Sequence, residues 1–199
     1  DDVLERLLDL FEAIGRRSAY LSLLQEYPQA LRRVAELVGA ARQAATYLSR
    51  HPILLDELLD ERHLDEEPDW PAFARELERL LDALEPDAER QMDLMREHHH
   101  AQAFRLLMRD LAGRLTVERL SDHLSALADT LLELSLRYVW RKLRRRHTDT
   151  PRFAVIAYGK LGSKELGYVS DLDLVYLFDD PHPDALETYT RTAQRLNTW

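Results

Sequence analysis

Apolar residues recur every three or four positions over most of the first 150 residues of the chain. This spacing is typical of the buried face of an amphipathic helix. Prolines at positions 28, 52, 71 and 86 interrupt it, and each favours a break between helices. The pattern therefore predicts six or seven helices. The clearest stretches are Leu7, Leu10, Phe11 and Ile14; Leu77, Leu80, Leu81 and Leu84; and Leu120, Leu124, Leu127, Leu131 and Leu134.

The pattern changes near residue 150. Two short apolar runs, 153–158 and 172–178, contain β-branched and aromatic residues and predict two strands. Three of the six glycines lie between these runs, and helical spacing returns from Asp184 to Trp199. The sequence thus predicts a mainly α protein. We expect an all-α bundle over residues 1–150, followed at 151–199 by the first β-loop-β-α of an α/β domain.

Composition excludes several classes of protein. The chain has 199 residues, a net charge of −9, 45% hydrophobic residues and no cysteine. It therefore has no disulfide framework, no thiolate metal site and no cysteine nucleophile. No apolar run is long enough to span a bilayer and no signal peptide opens the chain, so we expect a cytoplasmic protein that binds no membrane. The chain begins with Asp1 and ends within helical spacing, and we expect it to be a piece of a longer protein.

Two features suggest ligands that we do not expect. Six of the ten residues from 137 to 146 are basic, which is compatible with nucleic-acid binding, but the chain is acidic overall. Residues 56–69 contain eight carboxylates, so a helix end that faces an acidic surface is the favoured interpretation. His98, His99 and His100 point about 100° apart on a helix and do not converge on one metal ion.

The segment GKLGSKELGYVSDLDLVYLF, residues 159–178, contains the candidate chemistry. A turn with glycines lets backbone amides approach phosphate oxygens closely. Asp171 and Asp173 lie two positions apart, so a strand would place both carboxylates on one face. Paired carboxylates suit a hard cation such as Mg²⁺. The alternative is that both are solvated residues of an edge strand, and the acid pair alone leaves the two interpretations open.

The full segment narrows this choice. Gly159, Gly162, Ser163 and the run 171–174 resemble the nucleotidyltransferase superfamily of DNA polymerase β type. More narrowly, GKLGSKELGYVSDLDLVYL resembles the adenylyltransferase half of glutamine synthetase adenylyltransferase; the deadenylylating half usually reads E-L-N and S-S-D-I-D. The segments RHPILLDELLD, QMDLMREHHHAQAFRLLMRDLAG and RLNTW also resemble this family. The resemblance thus covers most of the chain.

The resemblance implies roles for individual residues. Asp171 and Asp173 would be catalytic and hold Mg²⁺ or Mn²⁺, with ATP as the co-substrate. Gly159, Gly162, Ser163 and Ser170 would contact the nucleotide, although Ser170 is equally suited to bonding the local backbone. Ser163 departs from the family, which often has a second glycine there. The superfamily also uses a third carboxylate, which we expect in a segment beyond Trp199.

The implied reaction is transfer of AMP from ATP to a tyrosine hydroxyl of glutamine synthetase. The resemblance further implies control by glutamine and by the PII signal protein. Because the third carboxylate is missing, we expect residues 1–199 alone to be inactive. Two alternatives remain: a nucleotidyltransferase with another acceptor, and a helical regulatory or interaction module.

Overall fold

The computed structural model describes residues 2–15, 18–59, 66–144 and 146–199. Over these residues the chain is mainly helical, and one small sheet follows the long helices. The predicted fold class is confirmed. The α-helices are α1 Asp2–Gly15, α2 Ser18–Glu26, α3 Pro28–Ala40, α4 Arg42–Arg50, α5 Trp70–Ala83, α6 Ala88–Leu111, α7 Val117–Arg141, α8 Gly159–Gly162 and α9 Ala185–Leu196, with a 3₁₀ helix at Pro52–Leu59; the strands are β1 Phe153–Tyr158 and β2 Asp173–Phe178.

The chain divides into two compact units. The first unit comprises residues 1–67 and 100–116, and the second comprises residues 68–99 and 117–199. The strands therefore belong to the same unit as α5, the first half of α6, and α7. The domain boundary that the sequence suggests at residue 150 stays a prediction.

The first unit is held by an apolar core and by partly buried ion pairs. Arg105 Nε lies 2.5 Å from a Glu57 carboxylate oxygen, and Arg109, with its side chain almost fully buried, lies 2.6 Å from Glu67. The core contains the positions that the helical spacing predicts in α1, Leu10 and Ile14, because they are one turn apart on the same face. Other members are Val34, Val38, Leu48, Leu55 and Phe104.

The second unit packs α5 and the first half of α6 against α7. Tyr138 lies at the centre of this core, where its ring stacks on that of Trp199 with 6.2 Å between centroids. Its buried hydroxyl donates to Asp82 Oδ1 at 2.7 Å, which helps to lower the pKa of that carboxyl. The remaining core residues are Leu77, Leu81, Met95 and Leu134.

The basic end of α7 pairs with acidic residues of its own unit. Arg141 lies 3.0 Å from Asp82, Lys142 lies 2.7 Å from Glu85, and Arg137 pairs with Glu78. Glu57 and Glu67, from the acidic stretch 56–69, pair instead with arginines of α6. The reason is that α5 lies directly beside α7, and Glu78 and Asp82 of α5 and Glu85 just after it follow one another at intervals of one helical turn.

The two strands pair antiparallel, from Phe153 opposite Phe178 to Tyr158 opposite Asp173. One face of the sheet packs on α9 through the buried ring of Tyr189, which stacks on Phe153 at 5.7 Å and on Phe178 at 5.0 Å. The opposite face, which we call the open face, is exposed. It consists of Ala154, Ile156, Tyr158, Asp173, Val175 and Leu177.

A polar network at the far end of β2 joins the strands to the helices. Asp180 Oδ2 lies 2.7 Å from His147 Nε2 and accepts a hydrogen bond from the Tyr189 hydroxyl at 2.7 Å. The His182 backbone amide donates to the other carboxylate oxygen at 3.0 Å. These contacts, led by the one from His147, hold the pKa of Asp180 well below its usual range. The network stabilises the ionised carboxylate.

We expect the Asp180 network to make stability fall in acid. A carboxyl whose pKa is lower when folded stabilises the fold above its unfolded pKa of about 3.9, and this contribution is lost as pH falls below that value. Asp180→Asn should therefore be less stable at neutral pH and should lose less stability on acidification. Urea unfolding at pH values from about 7 to about 3 measures both effects.

Asp179→Asn is the matched control, because the neighbouring Asp179 side chain is exposed and outside the network. It should follow the unsubstituted chain at every pH. Equal pH profiles for Asp180→Asn and the unsubstituted chain would contradict the assigned role of Asp180.

Candidate functional site

The candidate site is built where β1 ends and the chain turns. Gly159 follows Tyr158 directly and has a φ of +55°, a conformation that glycine adopts readily and other residues rarely adopt. The next residues form the single turn α8, which the Ser163 amide closes by donating to Gly159 O at 3.0 Å. The predicted glycine turn is therefore present, in the form of a short helical turn.

Gly159 is in close contact with Asp173. A Cβ atom at Gly159 would lie 2.2 Å from Asp173 Oδ2, far inside any permitted contact distance. The register of the sheet explains this approach, because Asp173 pairs with Tyr158, the residue before Gly159. The backbone angle thus favours glycine at this position, and any other residue would also push the exposed Asp173 carboxylate aside.

At Gly162 an added side chain would clash with the backbone. A Cβ at this position would lie 2.6 Å from the backbone oxygen of Ala157, so only glycine lets α8 fold back against β1. Ala157 is a residue of the strand itself and cannot move aside without disturbing the ladder. Gly159 and Gly162 therefore fix the turn against the strands at both of its ends.

The two candidate carboxylates differ in their local structure. Asp173 is the first residue of β2, whereas Asp171 lies two residues earlier, in the loop. The expectation that Asp171 occupies a strand position is wrong, because regular pairing ends at Tyr158 opposite Asp173 and the chain turns away into α8 beyond that point. Both side chains are exposed, and neither makes an ion pair within the part of the chain that the structure describes. Their role as ligands stays a prediction.

Both candidate serines contact the backbone. Ser163 Oγ donates to Gly159 O at 3.1 Å, and Ser170 Oγ accepts a hydrogen bond from the Gly167 amide at 3.0 Å. For Ser170 this is the local role that the sequence left as an alternative. Their contact with a nucleotide stays a prediction.

Two lysines stand beside the turn. Lys160 lies on α8, and Lys164 has a φ of +56°, which is uncommon for a residue with a side chain. The Glu165 amide donates to Lys160 O at 2.7 Å and closes the loop after α8. Both lysine side chains are exposed, so their positive charge is available to an anion near the glycine turn.

The residues present fit a divalent cation only in part. Asp171 and Asp173 supply carboxylate oxygens, the ligands that Mg²⁺ and Mn²⁺ prefer. No three His, Asp or Glu side chains among the described residues are grouped so that they could hold a metal ion. His98 and His100 turn to different partners, Leu94 O at 2.9 Å and the Tyr47 hydroxyl at 2.8 Å.

Tyr158 is a site residue that sequence reasoning did not identify. It is the last residue of β1, it pairs with Asp173, and its side chain is exposed on the open face. An aromatic residue directly before Gly159 is the signal that was available. Only the register of the strands, which the sequence did not specify, places it beside the carboxylate.

Comparison with known proteins gives a consistent set of relatives. Residues 31–199 match the family model described as glutamate-ammonia ligase adenylyltransferase. The chain is similar to proteins named bifunctional glutamine synthetase adenylyltransferase/adenylyl-removing enzyme. Identity is 70% to that of Aromatoleum aromaticum and 56% to that of Chromobacterium violaceum, each over 199 residues and 100% of this chain.

The relatives are much longer than the chain. It covers 21% of the Aromatoleum aromaticum protein and 22% of the Chromobacterium violaceum protein. It therefore spans about a fifth of the length of the curated relatives it matches. None of the described helices combines the length and the apolar character that crossing a membrane requires.

Gly113 and Gly159 have similar backbone angles but different surroundings, so alanine variants at the two positions distinguish backbone strain from a steric clash. Gly113 has a φ of +68° and nothing within 4 Å of an added Cβ, whereas Gly159 adds the contact with Asp173. Gly113→Ala should destabilise the chain by about 1 kcal/mol, the ordinary penalty of a left-handed alanine. Gly159→Ala should destabilise it more, and urea unfolding of both variants measures the difference. Equal losses would show that the Asp173 side chain moves aside without cost and would contradict this expectation.

Proposed function

Since the chain belongs to the glutamate-ammonia ligase adenylyltransferase family, we propose that the full-length protein that carries it transfers AMP from ATP to a tyrosine hydroxyl of glutamine synthetase. The observation that carries this proposal is the Asp173 carboxylate packed on Gly159, the glycine that opens the turn. A carboxylate beside a glycine turn, which phosphate oxygens can approach closely, suits a metal–phosphate ligand.

The proposed reaction is a substitution at the α-phosphorus of ATP. A bond forms between the phenolic oxygen and this phosphorus, the bond to the β-phosphate oxygen breaks, and pyrophosphate leaves with its electron pair. The phenolic proton passes to a carboxylate or to water. Since the phosphate groups are already negative, the protein must lower the repulsion that the incoming oxygen meets.

Each group of the turn has a role in this proposal. The amides of the glycine turn orient the phosphates, and Lys160 and Lys164 add positive charge beside them. Asp171 and Asp173 would hold Mg²⁺ or Mn²⁺, which would neutralise charge at the α-phosphate during adenylyl transfer. Ser163 exchanges its bond to Gly159 O for one to a phosphate oxygen. Ser170 keeps the loop before Asp171 in place through Gly167.

A third carboxylate is part of the proposal. Two carboxylates alone hold Mg²⁺ weakly, because binding of hard cations depends on the number of oxygen ligands. We propose that a segment outside residues 1–199 supplies the third ligand and accepts the proton of the acceptor hydroxyl. The length of the relatives supports this, since the chain covers only 21% of the protein from Aromatoleum aromaticum.

The chain is proposed to carry the AMP-adding activity of a bifunctional protein. The names of the relatives include both adenylyl transfer and adenylyl removal. Glu165-Leu166-Gly167 and Ser170-Asp171-Leu172-Asp173 resemble the adding half and depart from the E-L-N and S-S-D-I-D of the removing half. We further propose regulation by the PII signal protein and a cytoplasmic location, where ATP is available, with no nucleic-acid partner.

The acid pair provides the direct test of the proposal. Asp171→Asn and Asp173→Asn, made in the full-length protein, should lower kcat for AMP transfer by orders of magnitude. The reason is that the lost ligand acts mainly in the transition state. Incubation with ATP labelled in the α-phosphate and with glutamine synthetase, followed by counting of the labelled protein, measures the rate.

Asp179→Asn is the control, because Asp179 is an exposed aspartate just beyond the other end of β2. It should leave the rate unchanged. A double variant at Asp171 and Asp173 that still labels glutamine synthetase at the unsubstituted rate would show that the proposed mechanism is wrong.

A further inference from the structure

Tyr158 stands beside the candidate metal ligand Asp173 on the open face. The two residues pair directly across the strands, where Cβ atoms are about 4.5–5.5 Å apart. The Tyr158 side chain is 58% exposed, although the ring is large and apolar. An exposed aromatic ring next to a reactive position is available for contact with a substrate.

The other tyrosines of the sheet and α9 differ from Tyr158 because their hydroxyls form hydrogen bonds within the chain. The Tyr176 hydroxyl donates to Asn197 Oδ1 at 2.5 Å, and the buried Tyr189 donates to Asp180 at 2.7 Å. By contrast, the Tyr158 side chain makes neither a hydrogen bond nor a ring contact with any residue that the structure describes. Its position is therefore not explained by packing or by hydrogen bonding within this part of the chain.

The surroundings of Tyr158 are apolar. Ile156 is 38% exposed and Val175 is 44% exposed, and both lie on the open face next to the Tyr158–Asp173 pair. Among the six paired positions of this face, only Asp173 is charged. A group that reaches Asp173 across this face meets an aromatic ring and aliphatic side chains, a surface that suits a neutral aromatic group better than a charged one.

We infer that Tyr158 contacts the phenol ring of the acceptor tyrosine and is a specificity-determining residue for an aromatic hydroxyl. This assignment rests on the proposed function. The acceptor oxygen must come close to Asp173, and α9 with Tyr189 covers the other face of the sheet. The acceptor ring therefore approaches across the open face, where Tyr158 is the aromatic neighbour of Asp173 and offset or edge-to-face packing of two rings is favourable.

Substitutions at Tyr158 in the full-length protein test this assignment. Tyr158→Val removes the ring and keeps a residue that suits a strand, whereas Tyr158→Phe keeps the ring and removes the hydroxyl. We expect Tyr158→Val to raise KM for glutamine synthetase by about 3- to 10-fold, the size of an aromatic pair, and to leave KM for ATP unchanged. Tyr158→Phe should restore the acceptor KM.

Leu177→Ala is the matched control. Leu177 lies on the same face and is 54% exposed, but it is two pairs further along, about 13 Å from Asp173. It should change neither KM. Melting temperatures of all three variants show whether any loss reflects unfolding, and Tyr158→Leu is a second ring-free variant to be used if Tyr158→Val does not fold.

Several results would overturn the assignment. A rise in KM for ATP instead of the acceptor would show that the ring contacts the nucleotide, and unchanged constants in Tyr158→Val would show that it contacts neither. Loss of kcat in Tyr158→Phe would place the hydroxyl, not the ring, in the reaction. If the unsubstituted protein labels no glutamine synthetase, the proposed function itself is wrong. The other outcomes are observed in an active enzyme, so they test only the role of Tyr158.

Discussion

The close contact between the Asp173 carboxylate and the backbone of Gly159 is the constraint on which the candidate site depends. Gly159 follows the last residue of β1 directly, at a φ of +55°, and Asp173 Oδ2 occupies the space where another residue would carry its Cβ. The strand register brings the carboxylate to this glycine, because it places Asp173 opposite Tyr158, the residue before Gly159. The turn α8, the carboxylate and the exposed aromatic ring are therefore positioned by one short antiparallel pair, and a shift of one residue would separate them.

A two-stranded sheet is marginal by itself, and the second unit supplies its support. Tyr189 connects the sheet to the helices, because its buried ring stacks on Phe153, on Phe178 and, at 5.5 Å, on Trp140 of α7. Its hydroxyl reaches Asp180, which also binds His147. Aromatic packing thus covers one face of the sheet and leaves the face that carries Asp173 open.

The features that the sequence predicted are those set by local spacing. Helical periodicity predicted the buried positions Leu77 and Leu81, and the apolar runs predicted both strands to within one residue. The features that it missed depend on contacts between distant residues. The sequence did not show that Lys142 pairs with Glu85, that Asp171 lies outside the strand, or that Tyr158 stands beside Asp173, because helix packing and strand register decide these contacts.

The central claim is that Asp171, Asp173 and the turn after Gly159 form one metal–nucleotide site. Iron(II) accepts oxygen ligands like those of Mg²⁺, and with peroxide it releases hydroxyl radicals that cut the backbone near the bound ion. In the full-length protein with ATP, we expect cuts near residues 158–163 and 171–173 that Asp173→Asn abolishes. Cleavage elsewhere, or cleavage at these residues that persists in Asp173→Asn, would contradict it.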